Sequence, residues 1–236
     1  MTRFDPDATP LMVRYLAKGV LDMEFGDVRK QWDKSWKELR IRGDTRGTDV
    51  EALSGIEIAL YDAVGKMMQR PLGSQFSVHP AKKVPVFAGS FFSSRGSLGA
   101  YGAKGAAKAC GTFADLELAW FEEPVLSDDI EGYAKLKGSP VKIGAGESWF
   151  VDDFSLPIQQ KVAGVIEPSV SRCEGTGVQI DVARKAANLG IPFSPMVGMN
   201  SVLSLAASIH AASACPSVGV GTTHFPTHCR QNSGKS

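Results

Sequence analysis

Two short apolar segments of this chain each lead to a carboxylate, and this pattern constrains the fold more than any other feature. Residues 118–121 read as a buried parallel strand, followed at once by Glu122, Glu123 and a proline. Residues 141–145 form a second predicted strand, and Glu147 follows it among small residues. The carboxyl ends of the strands of a βα barrel meet at one face, where carboxylates can bind a hard cation together. The pair therefore predicts a strand-end site, whereas a lone carboxylate would indicate only a surface acid.

The chain beyond residue 125 alternates short apolar segments with helical patterns. Two further strands are predicted at 164–170 and 192–197. Strands that alternate with helices of roughly 10–15 residues indicate a parallel α/β architecture. Right-handed crossovers favour placing 118–121, 141–145, 164–170 and 192–197 side by side in that order.

Helical patterns dominate the first 82 residues. The strongest covers residues 48–68, where Leu53, Ile56 and Val64 fall on a broad apolar stripe and Asp49 suits the first turn. This pattern predicts a packed amphipathic helix.

Composition excludes several classes of protein. The formal charge is +1, with 26 basic and 25 acidic residues well mixed, so nothing indicates nucleic acid or anionic lipid as a partner. No apolar run approaches the ~18 residues of a transmembrane helix, and the first residues lack the apolar core of a signal peptide. The four cysteines form no CxxC pair, so neither a disulfide framework nor a zinc site is indicated. We therefore expect a cytoplasmic protein that binds neither nucleic acid nor membrane.

Four short motifs carry a resemblance to a known family. They are WFEEPV at 120–125, GES at 146–148, IEPSVSRC at 166–173 and GIPFS at 190–194. Together they resemble successive strand ends of the enolase superfamily, in its mandelate racemase and sugar-acid dehydratase branch. The similarity covers most of the chain, from about residue 10 to about residue 220.

The resemblance implies a particular architecture with parts absent. It implies an α/β fold, an incomplete TIM-type (β/α) barrel with a partial helical capping domain. The capping domain would cover residues 1–82, the truncated barrel 83–225, and a disordered tail 226–236. The strand at 83–88 would be the first of the barrel and that at 118–121 the fourth, so about two βα units, roughly 60 residues, are missing between them. We expect an open edge there, or a partner chain that covers it.

The resemblance also implies a Mg²⁺ site with three carboxylate ligands, and this sequence contains matches for two of them. In the family three carboxylates at the ends of the third, fourth and fifth strands hold the ion, which stabilises an enediolate. The matching ligands would be Glu122 and Glu147, with Glu123 close behind them. The third ligand comes from an Asp-x-Asn motif that this sequence lacks. Magnesium binding would then be weak or lost, because the ion prefers about six oxygen ligands.

The proton-transfer groups that the family implies are absent as well. A lysine base would lie on the missing second strand. The alternative is a histidine at the seventh strand paired with an aspartate at the sixth, and here Met196 and Ser169 stand at those positions. Methionine accepts no proton at a useful pH. Glu167, two residues before Ser169, is the one candidate replacement acid, with a structural role as the alternative.

The resemblance implies a Mg²⁺-dependent sugar-acid dehydratase that removes the proton next to a carboxylate. Three alternatives remain: an inactive paralogue or fragment that acts, if at all, by binding; a racemase or epimerase of the same superfamily; and an unrelated βα-barrel lyase. The expected partners are a carboxylate substrate of the sugar-acid class and further copies of the chain in a homo-oligomer.

Overall fold

The N-terminal part of the protein is helical. The computed structural model describes residues 7–21, 27–89, 99, 101–197, 201–215 and 220–223. Its first helices are α1 (Ala8–Leu21), α2 (Val28–Arg42), α3 (Thr48–Met67) and the short α4 (Gly73–Phe76). The Asp27 side chain accepts a hydrogen bond from the Lys30 N–H (2.9 Å), which caps α2, and Gly43 ends that helix at φ 84°. The helices bury Leu16, Leu39 and Leu53 in a shared core.

The remainder of the chain alternates strands and helices. The strands are β1 (Val86–Gly89), β2 (Phe121–Glu122), β3 (Ile143–Ala145), β4 (Val165–Ile166), β5 (Met196–Val197) and β6 (Val220–Thr223). The helices are α5 (Ala103–Thr112), α6 (Ile130–Lys135), α7 (Ser155–Gln160), α8 (Thr176–Asn188) and α9 (Val202–Ala214). Single 3₁₀ turns at Ala114–Leu116 and Val151–Asp153 precede β2 and α7.

All strand contacts are parallel and give one continuous order. β2, β3 and β4 pair in sequence, and β5, β6 and β1 pair on the other side. Parallel bridges from Ile166 to Phe193 and from Ser169 to Met196 join the two groups. The order is therefore β2-β3-β4-β5-β6-β1, which confirms the predicted neighbours and the α/β barrel-type fold.

The array stays open between its first and last strands. In the described part of the chain β2 pairs only with β3, and β1 pairs only with β6. Helix α5 is the one element of more than a single turn described between them, while residues 90–98 lie outside the description. Six strands cannot close a barrel whose tilt and shear suit eight. The described strands thus form the incomplete barrel that the sequence predicts.

One strand prediction is wrong in its details. Residues 118–121 are not a buried strand, since β2 begins at Phe121 and Leu118 is 43% exposed. The reason is the open edge: no described strand covers the outer side of β2, so the segment leading into it faces solvent. Pro85 lies just before β1, so this strand lacks no backbone hydrogen-bond donor at that position.

The boundaries predicted at 82/83 and 225/226 remain predictions, and the tail at 226–236 lies outside the described residues. Within the described ranges, no helix combines the length and the apolar character needed to cross a membrane.

Candidate strand-end carboxylate site

Three carboxyl groups lie where consecutive parallel strands end. Glu122 is the last residue of β2, Glu167 directly follows β4, and Glu147 lies two residues beyond β3. Glu147 and Glu167 are almost fully buried, and Glu122 is half-buried. Because the strands are parallel neighbours, all three groups lie at one edge of the sheet. The assignment of Glu122 and Glu147 as metal ligands stays a prediction.

The Glu123 side chain is hydrogen-bonded to the loop that follows β3. Its carboxylate accepts hydrogen bonds from the N–H groups of Gly146 (3.1 Å) and Ser148 (2.9 Å) and from the Ser148 hydroxyl (2.7 Å). Since Glu147 lies between these two residues, Glu123 fixes the loop that presents it. The supporting role toward a metal ion that the resemblance implies for Glu123 stays a prediction.

The Glu167 side chain lies over β3 at Gly144. A Cβ atom at Gly144 would collide with the Glu167 carboxyl oxygen Oε2 and with the indole ring of Trp120. Only glycine leaves room there for both side chains, which explains this residue in the middle of a buried strand. The Glu167 carboxyl is therefore enclosed between β2 and β4, over Gly144.

The surroundings of Glu167 favour its protonated form. Burial raises the pKa of Glu167 well above its usual range, and the nearby charges of Glu122, Glu123 and Glu147 raise it further. The Trp120 side chain opposes this shift by hydrogen bonding to the carboxyl group, but with smaller effect. A neutral carboxylic acid at Glu167 lowers the repulsion within the cluster.

Ser169 and Met196 lie side by side where the resemblance implies an acid–base pair. A parallel bridge joins their backbones, and each residue is only 1% exposed. The Ser169 Oγ atom lies 3.1 Å from the Ser171 Oγ atom. Neither side chain can accept a proton at neutral pH. The structure thus brings together the two positions that the sequence identified, and the residues there are inert as bases.

The donor set does not fit the magnesium ion that the family implies. Among the described residues, no group of three or more His, Cys, Asp or Glu side chains is arranged to hold a metal ion. The sequence has no Asp or Glu between Asp62 and Asp115 and none after Asp181. The strands β1, β5 and β6 therefore supply no carboxylate to replace the missing third ligand.

Two buried carboxyl groups lie at the contact between the helical part and α8, and sequence reasoning missed the first of them, Glu57. The Glu57 carboxylate accepts the N–H groups of Thr176 (2.8 Å) and Gly177 (2.7 Å) at the start of α8. Burial outweighs these hydrogen bonds and raises the pKa of Glu57 to about 8. The available signal in the sequence was an acidic residue, Glu57, on the buried side of the helix predicted at 48–68. The second group, Glu174, has φ 70° and is fully buried.

Two cavities lie away from the strand ends. One of about 390 Å³ lies between α3 and α9, and its walls include Tyr61, Arg70 and His210. The other, of about 230 Å³, lies beside Arg46 and Trp149. Neither is lined by Glu122, Glu147 or Glu167.

Parallel strands joined by helices, with acidic residues at their carboxyl ends, define a protein of the βα-barrel class. The family of enolase C-terminal domain-like proteins matches residues 98–233, more than half of the chain. The chain therefore belongs to this family, within the enolase superfamily.

Solved structures share the fold. A member of the enolase superfamily from Agrobacterium tumefaciens superposes with a TM-score of 0.81 at 20% identity, covering 95% of this chain and 71% of its own. A racemase from Streptomyces coelicolor with bound magnesium gives 0.80 at 20% identity, with 94% and 75% covered. An L-talarate dehydratase from Polaromonas, complexed with Mg and L-glucarate, gives 0.79 at 18% identity, with 95% and 75% covered. At these identities the likeness establishes the fold alone.

Proposed function

We propose that this chain is a catalytically inactive member of the enolase superfamily, derived from an enzyme of the sugar-acid dehydratase branch. The observation that carries the proposal is the adjacent pair Ser169 and Met196, buried at the strand ends where the family's acid–base pair would lie. Any role that the protein retains then rests on binding, and not on proton transfer.

The size of the lost contributions supports this proposal. A positioned general base contributes about 10²–10⁴-fold to a rate, and preorganised electrostatic stabilisation at least as much. In this chain Met196 replaces the histidine base and Ser169 replaces its aspartate partner. A third carboxylate for the metal ion is also missing. Losses of this size at one site would reduce turnover to the uncatalysed background.

The ancestral reaction is proposed from the relatives. The matched structures include a racemase with bound magnesium and a dehydratase complexed with Mg and L-glucarate. We take the ancestral substrate to be a sugar acid and the ancestral step to be Mg²⁺-assisted removal of the proton next to its carboxylate. Dehydration is favoured over racemisation because 169–173 and 201–210 are more similar to the sugar-acid branch.

One observation favours a second candidate, a weakly active lyase or epimerase. Glu167 is buried among carboxylates with a raised pKa, which is a common condition of catalytic acids and bases. In this alternative Glu167 replaces the missing base. Its full burial over Gly144, beside Trp120, argues against access to a substrate.

A turnover assay separates the two candidates. The natural chain is incubated with a panel of sugar acids and Mg²⁺, and loss of water is followed by chromatography of the 2-oxo product. We expect no product above the protein-free background. Turnover that Glu147→Gln abolishes would overturn the proposal, and its loss in Glu167→Gln would identify the base. Glu131→Gln, which changes an exposed acid on α6, is the control.

A further inference from the structure

We infer that the strand-end carboxylates of this chain are held without a divalent cation, because Glu167 and Trp120 occupy the space over Gly144 at the centre of the cluster. The inference deepens the proposed function and rests on it for the location of the site. It distinguishes this chain from the magnesium-bound relatives with which it shares a fold.

The first step is that Glu123 is not available to a cation. Three hydrogen bonds from the 146–148 loop, between 2.7 and 3.1 Å long, already occupy its two carboxylate oxygens. Releasing Glu123 would free the loop that carries Glu147. Recruiting Glu123 as a metal ligand would therefore disorder Glu147.

The second step is that Glu167 is held by packing. Its carboxyl group lies against Gly144 beside the Trp120 ring, and no part of the residue is exposed. Turning it outward as a third ligand would leave a void over Gly144, and voids in a packed core are costly.

The third step is that β1, β5 and β6 supply no acid that could take its place. The sequence lacks Asp and Glu from residue 63 to 114 and from 182 to the end, which includes β1, β5, β6 and the segments around them. Two carboxylates then remain for an ion that prefers about six oxygens in near-ideal octahedral geometry.

Metal binding tests the inference directly and without an activity readout. Mn²⁺, a spectroscopic substitute for Mg²⁺, is titrated into the natural chain, and the free ion is followed by electron paramagnetic resonance. Thermal unfolding is recorded with and without about 10 mM Mg²⁺, a concentration at which a millimolar site would raise the melting temperature. We expect no saturable Mn²⁺ binding and no shift in melting temperature.

Saturable binding that Glu147→Gln abolishes and Glu131→Gln retains would overturn the inference. If Glu167→Gln abolished it as well, Glu167 would be the third ligand and not the group that excludes the ion. The titration of the natural chain decides the main point even if a variant fails to fold. Binding without sugar-acid turnover would overturn this inference alone, whereas turnover without binding would overturn the proposed function alone.

Discussion

At the scale of single residues, Glu174 combines a left-handed backbone conformation with a buried carboxyl group. It has φ 70°, a left-handed backbone conformation that favours glycine, and its side chain is fully buried. A left-handed conformation costs a non-glycine residue roughly 1–2 kcal/mol, of which the extra flexibility of an unfolded glycine offsets part. Burial also raises the pKa of Glu174 to about 9, which shows how poorly the site accommodates its charge.

We therefore expect Glu174→Gly to raise the free energy of unfolding by roughly 1 kcal/mol. Urea denaturation followed by circular dichroism measures the change. Glu117→Gly is the matched control, since Glu117 has φ 49° but is exposed, so only the backbone contribution applies. A loss of stability in Glu174→Gly would show that the buried carboxyl stabilises the fold.

Restoring the acid–base pair tests whether the loss of this pair alone explains the expected inactivity. We expect the double variant Met196→His with Ser169→Asp to show no turnover of sugar acids, because the third carboxylate for the metal is still missing. The control double variant Met196→Leu with Ser169→Ala keeps similar volumes without a proton acceptor. Turnover in the restored variant, absent from this control, would mean that the base pair alone limits activity.

At the scale of elements, α8 is fixed to the helical part by polar contacts with α2 and α3. Glu57 accepts two N–H groups at the start of α8, and the Trp32 Nε1–H donates to the Glu174 carbonyl (2.9 Å). Arg29 pairs with Asp181 on the exposed side of α8 (2.7 Å). Glu57 is central because it is the buried carboxyl group in this contact whose pKa reaches about 8.

The stability of the fold should therefore fall as the pH rises through the range set by Glu57. The pKa of Glu57 is about 8 in the folded protein, above its ordinary value, so the folded state binds the proton more tightly than the unfolded chain. This stabilisation is complete below about pH 4.5 and is lost as the pH rises to about 8. Glu174, whose pKa is also raised, adds a decline that extends to about pH 9.

Urea denaturation between about pH 5 and pH 8 measures this slope. We expect Glu57→Gln to flatten it, because a neutral side chain of the same shape has no proton to lose. Glu131→Gln, an exposed change on α6, should leave the slope unchanged. An unaltered slope in Glu57→Gln would assign the pH dependence to other groups.

The sequence predicts elements better than it predicts their boundaries and buried acids. The order of 118–121, 141–145, 164–170 and 192–197 followed from the alternation of strands and helices, and the structure confirms it. The start of β2 was wrong because an apolar run does not reveal that its outer edge is uncovered. Glu57 was missed because its partners, the N–H groups at 176 and 177, lie more than a hundred residues away and have no sequence signature.

At the scale of the whole molecule, the described strands leave an open edge between β1 and β2. An unpaired strand edge offers backbone groups to another chain. Exposed apolar side chains, Leu116 and Leu118, lie just before β2. We expect the chain to associate with further copies through this edge, as the sequence-based expectation of a homo-oligomer implies.

Light scattering coupled to size-exclusion chromatography measures this association. We expect oligomers whose population rises with concentration, and we expect Leu118→Lys to lower it, because charge protects exposed edges. Leu189→Lys, at the far end of α8, is the matched control. A monomer at every concentration would contradict the prediction.

The central claim is that the protein does not remove the proton next to a carboxylate, and exchange of that proton with solvent tests it most directly. Sugar acids are incubated with the natural chain and Mg²⁺ in D₂O, and loss of the α-proton signal is followed by nuclear magnetic resonance. Exchange reports proton removal whether the intermediate would go on to dehydration or to racemisation. We predict exchange at the protein-free rate for every substrate. Exchange above that rate, abolished by Glu147→Gln and retained by Glu131→Gln, would contradict the claim.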